Sequence, residues 1–212
     1  MFVNAFAREG IDRQNLTLWG DGDAIINAAA SQNNDTVVII HSSNAVLMPW
    51  IDHPNITAVA YAYYPGQESG SSLPKLLWGE ANPSGKLPFT VAKNEADYLP
   101  NSIFSGHDKS PQVNFTDRLF VDYKWFDHKN VTPLFGFGHG LSYTTFQFGH
   151  LKLEESHRHD NLSVQTTNER WDNSRGRSTD SLYDELLRGH VHVTNDGDRY
   201  GKEVAQLYIE VS

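Results

Sequence analysis

The apolar residues of this chain fall into short runs separated by polar, Gly- and Pro-bearing stretches, and their spacing changes along the sequence. Thr36 to Ile40 is a continuous β-branched run, which predicts a strand buried on both faces. Ala58 to Tyr64, with Val59, Tyr61, Tyr63 and Tyr64, predicts another. Pro65-Gly66 ends it, because Pro holds φ and Gly accepts the positive φ of a sharp turn. A short helix follows, with Leu73, Leu76 and Leu77 on one face and Gly79 at its C′ position. Pro74 is tolerated only in a first turn, so the helix is predicted to begin near Ser71 or Ser72. Asn82-Pro83-Ser84-Gly85 then turns the chain, and Lys86 to Thr90 returns extended as a second strand. Upstream, Phe2-Val3 reads as a strand remnant. Asp21 to Ser31 reads as a helix capped by Asp21, with Ile25, Ile26 and Ala29 as its apolar face. Three βα-type repeats predict an α/β fold, an open and mostly parallel sheet covered by helices.

Downstream the rhythm differs. Leu119 to Phe126 predicts an aromatic extended segment. Phe135 to Tyr143 alternates Gly with large residues, which predicts backbone passing close to a packed neighbour. From Thr145 the period becomes two, through Phe146, Phe148, Leu151 and Leu153, the mark of an antiparallel strand. Gly189 to Thr194 and Val204 to Val211 predict two more, joined by a turn at Asn195 to Asp198. Three such strands fall short of the roughly seven of a β-sandwich. Asn94 to Asp117 and Glu154 to Arg188 read as long polar loops.

Composition narrows the function classes. A net charge of −9 without a basic cluster argues against nucleic-acid or anionic-membrane partners. No apolar run approaches the roughly 20 residues of a membrane-spanning helix. There is no cysteine, hence no disulfide and no thiolate chemistry. The ten histidines are scattered, and His190/His192 alternate on a strand without a third ligand, so neither a metal nor a cofactor is expected. Six Asn-X-Ser/Thr sequons begin at Asn15, Asn34, Asn55, Asn114, Asn130 and Asn161, which favours glycosylation and a secreted origin. Met1-Phe2-Val3 runs directly into an apparent core strand with no leader, so the chain reads as a fragment of something larger.

Four motifs carry a family resemblance. They are Pro65-Gly66-Gln67-Glu68-Ser69-Gly70, Asn82-Pro83-Ser84-Gly85-Lys86-Leu87-Pro88, Phe120-Val121-Asp122-Tyr123-Lys124-Trp125-Phe126-Asp127 and Phe137-Gly138-His139-Gly140-Leu141-Ser142-Tyr143-Thr144. In this order they resemble the C-terminal part of fungal family 3 glycoside hydrolases, the secreted β-glucosidases. The resemblance implies an α/β sandwich domain over 1–144 that begins inside the domain. A fibronectin type III-like domain, an antiparallel β-sandwich cut short, is implied over 145–212. It also implies that the (β/α) barrel domain bearing the family's aspartate nucleophile is not in this chain.

The implied activity is retaining hydrolysis of terminal β-D-glucosyl residues from β-glucosides and cello-oligosaccharides, which needs two carboxyl groups about 5 Å apart. In fungal relatives the acid/base is a glutamate followed by Gly, in a loop after a strand ending near Val-Asn-Ala. Val3-Asn4-Ala5-Phe6-Ala7-Arg8-Glu9-Gly10 resembles that pattern, so Glu9 is the acid/base candidate, and Arg8 departs from relatives with a small residue there. The plainer reading is that Glu9 pairs with Arg8 or Arg13 on a surface loop. Gln67 and Glu68, in the turn after a strand, are candidate substrate contacts with Arg8, because ligands of such sheets sit at strand carboxyl ends. The plainer reading is that Glu68 and Ser69 cap the following helix. Without the nucleophile the isolated chain is expected to be inactive. A non-catalytic carbohydrate-binding or interaction module, and a non-functional truncated product, are the competing readings.

Overall fold

A computed structural model describes residues 1–10, 13–100, 114–115, 117–155 and 185–210. The chain divides into two compact units: Met1–Tyr143 together with the segment from Gly201, and Thr144–Tyr200.

The first unit is built on a parallel sheet of β1 (Phe2–Asn4), β2 (Thr36–His41) and β3 (Ile56–Tyr61), in that spatial order. The continuous run in β2 has its physical reason here. With a strand on each side and packing on both faces, Val38, Ile39 and Ile40 are all buried. In the edge strand β1 only Val3 is buried, between exposed Phe2 and Asn4.

Helix α1 (Gly22–Gln32) buries Gly22, Ile26 and Ala30, an i, i+4, i+8 stripe. The expected face is therefore rotated: Ile25 stands 49 % exposed, and Ala30 is buried instead. A Cβ on Gly22 would meet Leu18 Cβ at 2.7 Å, so closeness to the preceding loop sets this rotation. Asp21 stands at the N-cap in a left-handed conformation but makes no side-chain cap. Its carbonyl receives Ile25 N–H at 3.1 Å. Between β2 and β3 the chain is irregular and buries Val46, Met48 and Trp50, and Trp50 Nε1 donates to Asp23 on α1 at 2.8 Å. Burial of Asp23 raises its pKa from the ordinary aspartate value, and the Trp50 hydrogen bond offsets part of the rise.

After β3 comes a 3₁₀ turn over Gly66–Glu68 and then α2 (Ser69–Leu77). The helix starts at Ser69, two residues before the expected start, and holds Pro74 inside it. The 3₁₀ turn leads straight into α2, and three contacts at Glu68 tie its first turn. Ser71 and Ser72 hydroxyls donate to the Glu68 carbonyl at 3.3 and 2.8 Å, and Ser71 also donates to its carboxylate. Gly79, at φ +74°, donates to Leu76 O at 3.1 Å and closes the helix as expected.

Two expectations are overturned downstream. Lys86 to Thr90 does not return parallel to β3. It runs antiparallel to 135–139: Leu87 N donates to His139 O at 2.8 Å, Gly138 N to Leu87 O at 2.7 Å and Val91 N to Phe135 O at 2.8 Å. Pro88 lacks an N–H, and no regular strand forms through it. Leu119 to Phe126 is not extended. It is a turn followed by α3 (Tyr123–Lys129), because Asp122 caps the helix by accepting Tyr123 N–H at 2.7 Å. The same carboxylate accepts the Thr90 N–H at 3.0 Å and the Thr90 hydroxyl at 2.7 Å.

Two of the three alternating glycines, Gly138 and Gly140, do mark close approach of the backbone to a packed neighbour. A Cβ on Gly140 would meet Gly85 O at 2.6 Å, and one on Gly138, at φ +76°, would meet Gln206 Oε1 at 2.1 Å. The Gln206 contact is a further departure. Residues 201–210 are not the expected strand: they form no ladder and pack within the first unit, where Lys86 pairs with Glu203 at 2.8 Å.

In the second unit, β4 (Phe146–Phe148) pairs antiparallel with β7 (Val193–Asn195), and β5 (Lys152–Glu155) with β6 (Leu187–His190). The expected single strands are each broken in two. Gly149 N still donates to His192 O, and the next pair is Lys152 with His190, so three steps on one side match two on the other. That extra residue is a bulge. It explains why the apolar positions shift from even numbers (Phe146, Phe148) to odd ones (Leu151, Leu153). Most of the expected Glu154 to Arg188 loop lies outside the described residues, as does most of Asn94 to Asp117.

Candidate functional site

The site of interest is the carboxyl edge of the parallel sheet, where the loops after β1, β2 and β3 emerge. The loop after β1 is fastened at both ends. At its start Ala5 N donates to His41 O at 3.0 Å and Ala5 O accepts the Tyr64 hydroxyl at 2.8 Å. At its end Leu16 O accepts Leu47 N at 2.9 Å and Trp19 N donates to Asn4 O at 2.8 Å. Between them Arg13 donates from Nη1 to Asn44 Oδ1 at 3.0 Å and Ala45 O at 2.8 Å, and from Nη2 to Thr17 O at 3.4 Å.

Arg8 and Glu9 lie on the stretch between Ala5 and Arg13, and both are exposed. Among the described residues Glu9 forms no ion pair with Arg8 or Arg13, and the Arg13 guanidinium is committed elsewhere. Gln67 and Glu68 lie in the 3₁₀ turn after β3, also exposed. The two candidate loops therefore leave the same edge from strands flanking β2, and the Tyr64–Ala5 hydrogen bond bridges them. Glu68 stands at the helix N-cap, without a side-chain bond to a backbone N–H, and its carboxylate accepts from Ser71.

Sequence reasoning passed over several groups that shape this edge. His41, at the end of β2, directs Nδ1 at Tyr63 O at 3.0 Å, and since a carbonyl only accepts, Nδ1 carries the proton. Tyr63 itself has φ +50°. The Tyr61 hydroxyl accepts Val46 N–H at 3.1 Å, and burial pushes its pKa upward. Burial likewise lowers the pKa of Arg13, against the opposing influence of Tyr64, Tyr61 and Tyr98. The tyrosines were legible only as strand residues, and Arg13 only as a partner for Glu9. Among the described residues no cluster of His, Asp or Glu has the makings of a metal site.

The sequons occupy varied settings. Asn15, Asn34, Asn114 and Asn130 are exposed, and Asn15 Oδ1 accepts the Thr17 hydroxyl at 2.8 Å. Asn55 Nδ2 donates to Ala30 O at 2.8 Å, and a glycosylated amide retains one N–H for that bond. Asn161 lies outside the described residues.

Comparison with known proteins fits this geometry. The Glycosyl hydrolase family 3 C-terminal domain matches residues 1–143. Beta-glucosidase cel3A of Pyricularia oryzae is 41 % identical over 217 residues, covering 100 % of this chain and 26 % of that protein. Beta-glucosidase 1 of Aspergillus aculeatus is 46 % identical over 178 residues, covering 78 % of this chain and 21 % of that protein. Among solved structures, a β-D-glucoside glucohydrolase from Trichoderma reesei superposes with a TM-score of 0.76 at 34 % identity, covering 92 % of this chain and 27 % of that one. A Chaetomium thermophilum β-glucosidase gives 0.77 at 30 % identity, covering 95 % of this chain and 34 % of that one. The chain thus spans about a quarter of the length of the curated relatives it matches. With the parallel sheet, its carboxyl-edge loops and a domain match over residues 1–143, the chain belongs to glycoside hydrolase family 3, of which it carries the C-terminal domain.

Proposed function

We propose that this chain is the C-terminal part of a retaining β-glucosidase that releases terminal glucose from β-glucosides and cello-oligosaccharides. In this reading residues 1–144 are the α/β sandwich domain, and 145–212 begin a fibronectin type III-like domain. The nucleophile sits on a barrel domain that the chain does not contain, and the whole protein is secreted and glycosylated. Glu9 is its acid/base; Arg8, Gln67 and Glu68 contact the sugar. The observation that carries the reading is Glu9 itself. It is an exposed carboxyl with no ion-pair partner among the described residues, on a loop fastened at the edge where ligands of such sheets bind. That gives one of the two carboxyl groups retaining hydrolysis requires.

The test joins this chain to the remaining three quarters of the Pyricularia oryzae relative. Glu9→Gln in that enzyme should leave binding intact and slow turnover of glucosides with poor leaving groups by about 10²–10⁴-fold. On an activated aryl glucoside, where breakdown of the glycosyl-enzyme limits the Glu9→Gln enzyme, azide should restore part of the rate, since a small anion attacks that intermediate without a general base. An unchanged rate with Glu9→Gln sinks the assignment. The chain alone should not hydrolyse an aryl β-glucoside. Sugar binding by the chain alone, with no gain in turnover after joining, would favour the carbohydrate-binding module instead.

A further inference from the structure

We propose that Arg13 is a positioning residue that fixes where the Glu9-bearing stretch sits over the carboxyl edge; the catalytic half of this inference rests on the reading of Glu9 above. The stretch leaves its first anchor at Ala5, held by His41 and Tyr64. Among the described residues the next tie to the sheet's other loops is the Arg13 guanidinium, ahead of the Leu16–Leu47 bond. One nitrogen, Nη1, reaches both Asn44 Oδ1 and Ala45 O in the loop after β2, while Nη2 turns back to Thr17 O in its own loop.

This is an unusual use of a cation. Arg13 is half-buried and, among the described residues, has no carboxylate at ion-pair distance; its acceptors are two carbonyls and an amide oxygen. Burial accordingly lowers its pKa. A charge paired in this way contributes little as an ion pair. The planar fork, however, supplies several fixed donor directions, which an ammonium on a flexible stem does not. The acceptors lie on two different loops, so the fork ties the end of one to the start of the other. Ala45 is buried and Asn44 is braced by the Ser43 hydroxyl at 3.0 Å, so the receiving side is itself held. Among the described residues, removing the fork leaves the Leu16 O–Leu47 N bond as the next tie between this loop and the loop after β2. A shift of about 1 Å in a reacting group costs on the order of 10²-fold in rate.

The experiment uses Arg13→Gln and Arg13→Lys. In the full 212-residue chain, trypsin cleavage after Arg8 reports how freely the stretch opens. Arg13→Gln should accelerate that cut by about tenfold with the melting temperature nearly unchanged, and Arg13→Lys should fall between. In the joined enzyme Arg13→Gln should lower kcat on a poor-leaving-group glucoside by about 10- to 100-fold with little change in KM, and Arg13→Lys should recover part of it. Unchanged cleavage after Arg8 overturns the proposal, as does a cut that quickens only in step with a large fall in melting temperature. Faster cleavage with kcat unchanged also overturns the catalytic half, provided Glu9→Gln slows turnover. If Glu9→Gln is silent while Arg13→Gln still frees the stretch, the clamp stands and the Glu9 reading fails.

Discussion

The three alternating glycines of 136–140 invite a graded test, because the structure gives Gly138 and Gly140 different reasons to be glycine and Gly136 none. At Gly140 the obstacle is backbone. A Cβ there would sit 2.6 Å from Gly85 O and 2.9 Å from Lys86 Cδ. Lys86 is not free to swing away. Its Nζ donates to Gly140 O at 3.0 Å and pairs with Glu203 at 2.8 Å, with side-chain exposures of only 16 % and 13 %. Gly140→Ala must therefore push two backbones apart, an overpacking cost of about 1–3 kcal/mol. At about 2–4 °C per kcal/mol for a chain of this size, the midpoint loss is about 2–12 °C. Gly138 combines two costs. Its φ of +76° penalises any side chain by about 1–2 kcal/mol. Its clashes, however, are with the ends of Gln206 and Tyr208, which can move once the Gln206 Nε2–Gly138 O bond at 3.1 Å breaks. Gly138→Val adds a branched side chain at that φ and should be the most harmful of the set. A Cβ on Gly136 would meet nothing within 4 Å, so Gly136→Ala should melt at or slightly above the parent value. Thermal unfolding by circular dichroism on the full chain reads all three. If Gly140→Ala melts with Gly136→Ala, the close-approach reasoning is wrong.

Other substitutions follow from single contacts. Asp122→Asn keeps the shape but sets an amide NH₂ against the donors from Thr90 and Tyr123, and should cost about 1–3 kcal/mol by denaturant unfolding; no change would mean the carboxylate is not the hub it looks to be. Asp23 carries a pH prediction. Burial raises its folded pKa, so its contribution is most favourable below the free-aspartate value of about 3.9 and is lost as pH rises through the raised value. Asp23→Asn keeps an acceptor for Trp50 Nε1 without the charge, so its stability relative to the parent should grow from acid to neutral pH, and a difference that shrinks would refute the assignment.

The local chemistry of the chain was readable where one element decides its own form. The β-branched run of β2 needs apolar contact on both faces wherever it sits, and it sits centrally. Gly66 and Gly79 took the positive φ expected of them because φ restrictions act on single residues, although β3 stops at Tyr61, short of the expected Tyr64 and before Pro65-Gly66 could end it. The motifs, in order, were enough to name the family, and Glu9 came from that resemblance alone. What the sequence could not convey was partnership. The face of α1 depends on how closely Leu18 approaches Gly22, so Ile25 pointed out where periodicity alone turned it in. Tyr123 to Lys129 became helical because Asp122 gained two more donors from Thr90, 32 residues away in sequence. Lys86 to Thr90 could pair with either neighbour by pattern, and the tight glycine backbone of 135–140 offered the antiparallel one. The carboxyl-edge clamp is the extreme case. Arg13 carries no pattern that singles it out, and its role exists only because the loop after β2 brings Asn44 and Ala45 within 3.0 Å of it. Propensity and periodicity are properties of neighbours in sequence, whereas a hydrogen bond across some 30 residues is a property of the folded chain, and tertiary packing alone decides it.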